Sequence, residues 1–381
     1  MTAAANYRVC RRCVMDTSDE GITFDDEGVC SHCRGFDAER GATWFPNEEG
    51  ARRLSAIVAQ MKEAGRGRRY DCILGLSGGV DSSYLGLKVQ EWGLRPLAVH
   101  VDAGWNSELA VANIEKIVKH CGFDLHTHVV DWQEVRDLQI AYLRAAVANQ
   151  DVPQDHVFFA SLYHFATKNG IRCVLSGGNY ATESIFPRSW HGDAMDKRNL
   201  LAIHRRFGDH RLRSYTTIGF LQYFLWYPFV KRMRTVRPLN YLAYSKREAI
   251  AELTRIGWRA YGRKHGESLF TRFFQNYYLP TKFGYDKRRP HLSSLIVAGE
   301  ITREEALREL ERPLYDADEL ETDIVFVCKK LQISRSEFAE LMQAPVHHYS
   351  EFPNQDRWYR GLKRAQHAVE GVLGRPVRVY S

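Results

Sequence analysis

From residue 71 the chain alternates short apolar runs with longer stretches in which apolar positions return every three or four residues. "DCILGL" (71–76) reads as a strand, and "DSSYLGLKVQEWG" after it puts Val80, Tyr84, Leu85, Leu87 and Val89 on roughly one helical face, with Gly93 as its C-terminal stop. The alternation repeats with a strand at 96–101, a helix at 107–122, a strand at 125–130, a helix N-capped by Asp131, a helix near 154–168 and a strand at 171–176. Strands and helices in strict alternation predict a parallel, doubly wound α/β sheet. A polar connector near 41–50 and a helical stretch to about 64 precede it. Beyond about 185 the alternation stops, and helical patterns such as "SKREAIAELTRIG" and "TREEALRELE" predict a mostly helical C-terminal part packed on the sheet. Three units follow: 1–45, 46–190 and 191–381.

Composition changes this picture little. The 381 residues are 44% hydrophobic, 26% charged and 12% aromatic, the usage of a folded globular chain. No run approaches the roughly 18 to 20 apolar residues of a spanning helix, and no basic region leads into an apolar one at the start, so a cytoplasmic protein is expected. Charge adds more. The net +7 is uneven: residues 188–290 carry 22 Lys or Arg against 7 Asp or Glu, an excess of +15, which leaves −8 elsewhere. Such a region points to an anionic partner. Within it "TTIGFLQYFLWYPFV" (216–230), followed by "KRMR", reads as a buried helix, with contact to a membrane surface as the alternative.

Four of the eight cysteines form C-x2-C-x16-C-x2-C: Cys10, Cys13, Cys30 and Cys33. This is the spacing of a four-thiolate zinc site, closed by its own ligands and therefore structural. A disulfide pair fits a reducing compartment poorly, and an iron–sulfur cluster is the remaining option. Cys72 and Cys173 lie in strand-like apolar runs and read as core.

"GLSGGVDSS" (75–83) follows the first strand and opens the first helix of the sheet. Gly78 and Gly79 let backbone approach an anion, free N–H groups at the helix start supply donors, and Ser77, Ser82 and Ser83 add hydroxyls. The loop is neither G-x-x-x-x-G-K-[ST] nor G-x-G-x-x-G. Asp81 would repel phosphate unless a divalent cation intervenes, which implies Mg²⁺ if the guest is pyrophosphate. A second glycine turn, "LSGGNYATES" (175–184), should lie beside the first across the crevice, with Gly178, Asn179 and Glu183 toward the ligand. Asp102 ends the second strand, where it either contacts adenosine or caps a turn.

S-G-G-x-D-S after a first strand resembles the signature of the PP-loop ATP pyrophosphatases. The block "KHGESLFTRFFQNYYLPTKFGYDKRRPHLSSLIVAGEITREEAL" (264–307), with "GWNSEL", "ATES" and the paired CxxC segment, resembles the N-acetyl sugar amidotransferase family from Cys10 to about residue 310. The resemblance implies ATP-dependent conversion of an acetamido group on a nucleotide-linked sugar to an acetamidino group in bacterial surface-polysaccharide synthesis. ATP, Mg²⁺ and a structural Zn²⁺ are the implied cofactors. Ammonia would come from a partner glutaminase through a cyclase-like barrel subunit, since the chain has no glutaminase nucleophile elbow of its own. Asp81, Glu183, Lys282 and Asp286 are the expected catalytic residues. Lys246, Arg247, Arg263, Lys264, Lys287 and Arg288 are the expected contacts to diphosphate or sugar carboxylate. The alternative is a PP-loop tRNA-modifying enzyme, with Cys173 as the one thiol near the crevice; no added RNA-recognition domain is visible. The final segment carries no motif.

Overall fold

The computed structural model describes residues 7–261 and 266–373. Five parallel strands make one sheet of order β3-β2-β1-β4-β5: β1 (Cys72–Gly75), β2 (Pro96–Asp102), β3 (Asp124–Val129), β4 (Cys173–Leu175) and β5 (Arg234–Val236). Sixteen α-helices accompany them among the described residues: α1 (Ser31–Thr43), α2 (Glu48–Ala64), α3 (Val80–Glu91), α4 (Glu108–Cys121), α5 (Trp132–Ala145), α6 (Val152–Lys168), α7 (Tyr180–Glu183), α8 (Lys197–Phe207), α9 (Lys246–Arg255), α10 (Leu269–Phe273), α11 (Leu279–Phe283), α12 (Arg288–Ala298), α13 (Arg303–Glu311), α14 (Ala317–Leu331), α15 (Arg335–Gln343) and α16 (Asp356–Leu373).

The period-two pattern of the strands sorts the core into two layers. Ile73, Val99 and Val174 face α5, α6 and α8, whereas Cys72, Leu74, Ala98 and Leu175 face α3, α4 and α9. Ile73 and Leu74 are fully buried, and each such side chain contributes on the order of 2 kcal/mol of transfer free energy. A third cluster packs α10, α14 and α15 against Trp105 and α5. Asp131 caps α5 by accepting from Gln133 and Glu134 N–H, as its position in the sequence implied.

Two differences from the sequence reading have local causes. The alternation does not end near 185: β5 pairs with β4 and adds a fifth strand, but three residues are too few to leave a period. Residues 222–230 do form a helix, but it is π-helical and mostly exposed, with Tyr227 alone buried among its nine residues. The expected burial of 216–230 is therefore corrected.

Candidate functional site

The strand order places the carboxyl ends of β1 and β4 side by side, so the loops that follow them must meet. In the first loop Gly78 adopts φ +82°, and a Cβ there would lie 2.7 Å from the Ala110 carbonyl oxygen. Glycine is required on both counts. The Gly78 carbonyl accepts from Trp258 Nε1 (3.3 Å) and Tyr261 Oη (2.9 Å), which holds the loop open. Ser82 Oγ lies 3.1 Å from Ser77 Oγ and accepts from Ser77 N–H at 3.3 Å. Gly79 is the N-cap of α3 without any side-chain cap, leaving a helix start suited to an anion. Ser83 departs from expectation: it is 1% exposed, turns inward and does not line the cleft.

The second loop presses on the first. A Cβ at Gly177 would meet Ser82 N at 3.0 Å, so the two backbones touch. Asn179 caps α7 through Thr182 N–H (3.0 Å), and its Nδ2 lies 3.5 Å from Asp81 Oδ1. Tyr244 donates its hydroxyl to the same Asp81 oxygen, and burial together with that carboxylate pushes the phenol's pKa up. Between the loops opens a cleft of 560 Å³, walled further by Lys246 of α9, Trp258, Glu267 and His291. Its size suits a nucleotide.

Three carboxylates stand around the cradle. Asp81 and Glu183 were expected there; Glu267 was not, although it lies within the 264–307 block. Its Oε1 is 3.6 Å from where a Cβ of Gly79 would be, because an antiparallel bridge, Asn106 to Ser268, and a Ser107 N–H bond to the Glu267 carbonyl pin the segment to the loop after β2. Among the described residues only the four cysteines bring such donors close enough to share one ion. A divalent cation at these carboxylates would therefore borrow phosphate oxygens, which is the habit of Mg²⁺.

Beside Glu183 lies a second polar group that mixes both signs of charge. Lys287 Nζ donates to His191 Nε2 at 2.8 Å, and Asp151 accepts from Thr271 Oγ1 at 3.1 Å. Burial lowers Lys287, against the pull of Asp151, Asp155 and Glu183. Burial raises Asp151, with help from Asp155, and raises Asp155 itself. Burial and the neighbouring Lys287 hold His191 neutral. Lys287, expected on a phosphate, is thus committed to this internal cluster.

Other expected residues have structural partners instead. Lys282 donates to the carbonyls of Leu341 (2.6 Å), Met342 and Ala344, at the C-terminal end of α15, and is not at the reacting centre. Asp286 is held by Arg288, whose guanidinium also caps α13 through the Glu309, Leu310 and Arg312 carbonyls. Both expectations are corrected, since these groups are spent on joining helices. Asp102 caps its own turn, accepting from Gly104 N–H (2.7 Å) and Asn106 Nδ2 (3.0 Å), so the adenosine contact gives way to the turn. Arg247 points outward on α9, while Lys246 lines the cleft. Arg263 and Lys264 lie outside the described residues. Sequence reasoning missed Gly177, Tyr244, Glu267, His291 and Arg237; the last follows β5 and approaches Gly178, so recognising that strand would have found it.

The four cysteines converge. Their sulfurs all lie within 4.8 Å of one another, with Cys13 and Cys30 at 3.6 Å and Cys10 and Cys33 at 3.9 Å. Tetrahedral Zn–S bonds of about 2.3 Å need sulfurs about 3.8 Å apart, so the set fits one zinc ion; a polynuclear iron–sulfur cluster would spread the thiolates wider. Backbone N–H groups of Arg12, Cys13 and Cys30 point at Cys10 Sγ, at 3.3 to 3.4 Å, and would steady a thiolate. The knuckle packs on Ile185 and Val297, and Arg303 ties the Cys10 and Cys13 carbonyls to α13. It therefore braces α7 and α12, the helices next to Glu183 and Lys287.

A parallel sheet of this order, with a glycine cradle at the strand ends and no Walker lysine, is a doubly wound α/β fold, as the alternation of strands and helices implied. Residues 267–365 match the family described as "LPS biosynthesis protein WbpG-like, C-terminal domain", which bears out the resemblance carried by the 264–307 block. No curated protein matches the chain. Among solved structures, an NH3-dependent NAD synthetase from Campylobacter jejuni in complex with the nitrate ion is similar at 13% identity and a TM-score of 0.27, over 34% of this chain. The chain spans 57% of that protein's length.

Proposed function

We propose that the chain is an ATP-dependent N-acetyl sugar amidotransferase of lipopolysaccharide or related surface-glycan synthesis. The observation that carries the reading is the junction of the two loops: a backbone cradle for pyrophosphate beside Asp81, Glu183 and Glu267, walled by the segment from the WbpG-like family match. The acetamido oxygen of a nucleotide-linked sugar attacks the α-phosphorus of ATP, and the bond to pyrophosphate breaks. Ammonia then adds to the activated carbon, AMP leaves with the oxygen, and the nitrogen loses its surplus protons. In this scheme the cradle holds pyrophosphate, Lys246 faces the anionic substrate, and Glu183, on the cleft wall, accepts a proton. A bound divalent cation would screen the phosphates from Asp81. We propose further that a glutaminase and a cyclase-like barrel subunit supply the ammonia.

The tRNA-modifying alternative has lost its thiol. Cys173 is buried in β4 against Met61, and burial pushes it up to about 11, far from a reactive thiolate. The test is incubation with MgATP, ammonium and an N-acetylated nucleotide sugar. AMP, pyrophosphate and a product with NH in place of O are expected; AMP release that depends on tRNA and ignores every acetamido sugar would overturn the reading.

A further inference from the structure

The densest exposed apolar surface in the described chain is the π-helix Gln222–Val230 with the residue before it. Leu221, Leu225, Trp226, Phe229 and Val230 are 67%, 41%, 48%, 60% and 56% exposed. They recur every four or five residues, which is the period of an i→i+5 helix, as the Lys231 N–H bond to the Trp226 carbonyl (3.0 Å) attests. One stripe results. The helix cannot roll to hide it: Tyr227 is buried and stacked on Tyr163 at 5.1 Å, its hydroxyl accepts from Gln222, and its carbonyl accepts from Met233 N–H.

The amphipathic α16 lies alongside, joined through Phe220 to Trp358 and Phe224 to Tyr359, both at 5.7 Å. It too exposes apolar residues, Trp358 at 49% and Val369 at 47%. Around both helices basic residues predominate, with Asp356 and Glu370 the acidic residues of α16. Residues 197–237 hold ten Lys or Arg and one acidic residue, Asp209, which pairs with Arg144. Arg357, Arg360, Lys363 and Arg364 on α16 are exposed, as are Lys231 and Arg232. Protein interfaces are depleted of lysine at their cores, whereas aromatic and leucine side chains rimmed by Lys and Arg suit a headgroup region. No helix among the described residues is long and apolar enough to cross a bilayer, so the fit is to a surface.

We propose that this face binds the surface of an anionic phospholipid bilayer, with Leu225, Trp226 and Phe229 entering the headgroup boundary and Lys231, Arg232 and the α16 basic residues on the lipid phosphates. It stands apart from the cleft, none of whose walls it forms.

The experiment is co-sedimentation of the full chain with vesicles of phosphatidylcholine alone or mixed with phosphatidylglycerol, at low and high salt. Binding to the mixed vesicles that falls with salt is expected. Leu225→Glu/Phe229→Glu should lower the partition coefficient by about tenfold or more. Lys231→Glu/Arg232→Glu should do so by a similar factor, since each basic residue near an anionic surface adds about 1 kcal/mol. All four positions are exposed, so both variants should keep the parent melting transition. Equal affinity for the two vesicle types, no binding at low salt, or unchanged binding by the variants would overturn the proposal. So would sedimentation velocity showing a dimer that Leu225→Glu/Phe229→Glu dissolves, because the occupant would then be a second copy. No substrate enters the assay, so its outcome is independent of the amidotransferase reading.

Discussion

The cradle and the charged cluster beside it are neighbours built on opposite plans. The cradle is backbone: Gly177 lets the second loop touch the first at Ser82, and Gly78 and Gly79 leave the start of α3 open to an anion. The cluster is side chain: Asp151 and Asp155 come from the start of α6, Lys287 from the N-cap of α12 and His191 from a loop. A backbone site depends on steric room and hardly titrates. A buried side-chain site depends on protonation and on every element that delivers a member.

Metal removal should strike both regions at once, and hardest. The knuckle braces α7 and α12, so chelation, or Cys13→Ser, should abolish AMP formation and lower the melting temperature together, followed by activity and calorimetry. Survival of AMP formation in zinc-free protein would separate the knuckle from the site.

Within the cradle, Asp81→Ala should reduce AMP formation by about 10²–10³-fold or more, read by release of labelled AMP. It also strands the Tyr244 hydroxyl, at about 1–3 kcal/mol. Gly177→Val should lose activity comparably through a clash with Ser82, although it removes no polar group. If valine is tolerated there, the close contact of the two loops is not what shapes the site.

The cluster should answer to pH where the cradle does not. Burial raises the Asp151 carboxyl to about 8, so between about pH 4 and that value the folded chain binds more protons than the unfolded one. Stability contributed by this group is therefore present at low pH and lost as pH rises through the window, by up to about 1.4 kcal/mol per unit. Asp151→Asn should flatten that decline in urea melts at about pH 5 and about pH 8; an unchanged slope would mean the carboxyl titrates normally.

The smallest effect is expected at Lys282→Met. It should cost about 1–2 kcal/mol through the lost α15 cap and leave turnover per folded molecule unchanged. A fall in turnover with stability intact would return Lys282 to the chemistry.

What the residues announced by themselves was local. The period of the strands and helices, the S-G-G-x-D-S turn after β1 and the two CxxC pairs each rest on spacing within a few residues, and spacing of that kind survives in any fold. The roles of Lys282, Asp286, Arg288 and Asp102 were not legible, because a charged side chain reads the same whether it meets a substrate or a carbonyl at a helix end. Glu267 was equally hidden, since it reaches Gly79 across a sequence separation closed by the bridge at Asn106 and the Ser107 N–H bond to its carbonyl. β5 was too short to show a period, and with it went Arg237. The packing of helices on the sheet decided which charges face the cleft, which cap helices and which are buried with a partner. It also left the aromatic stripe of 221–230 in the open, a result that hydrophobicity along the chain had argued against and that only the missing neighbours of a folded surface could decide.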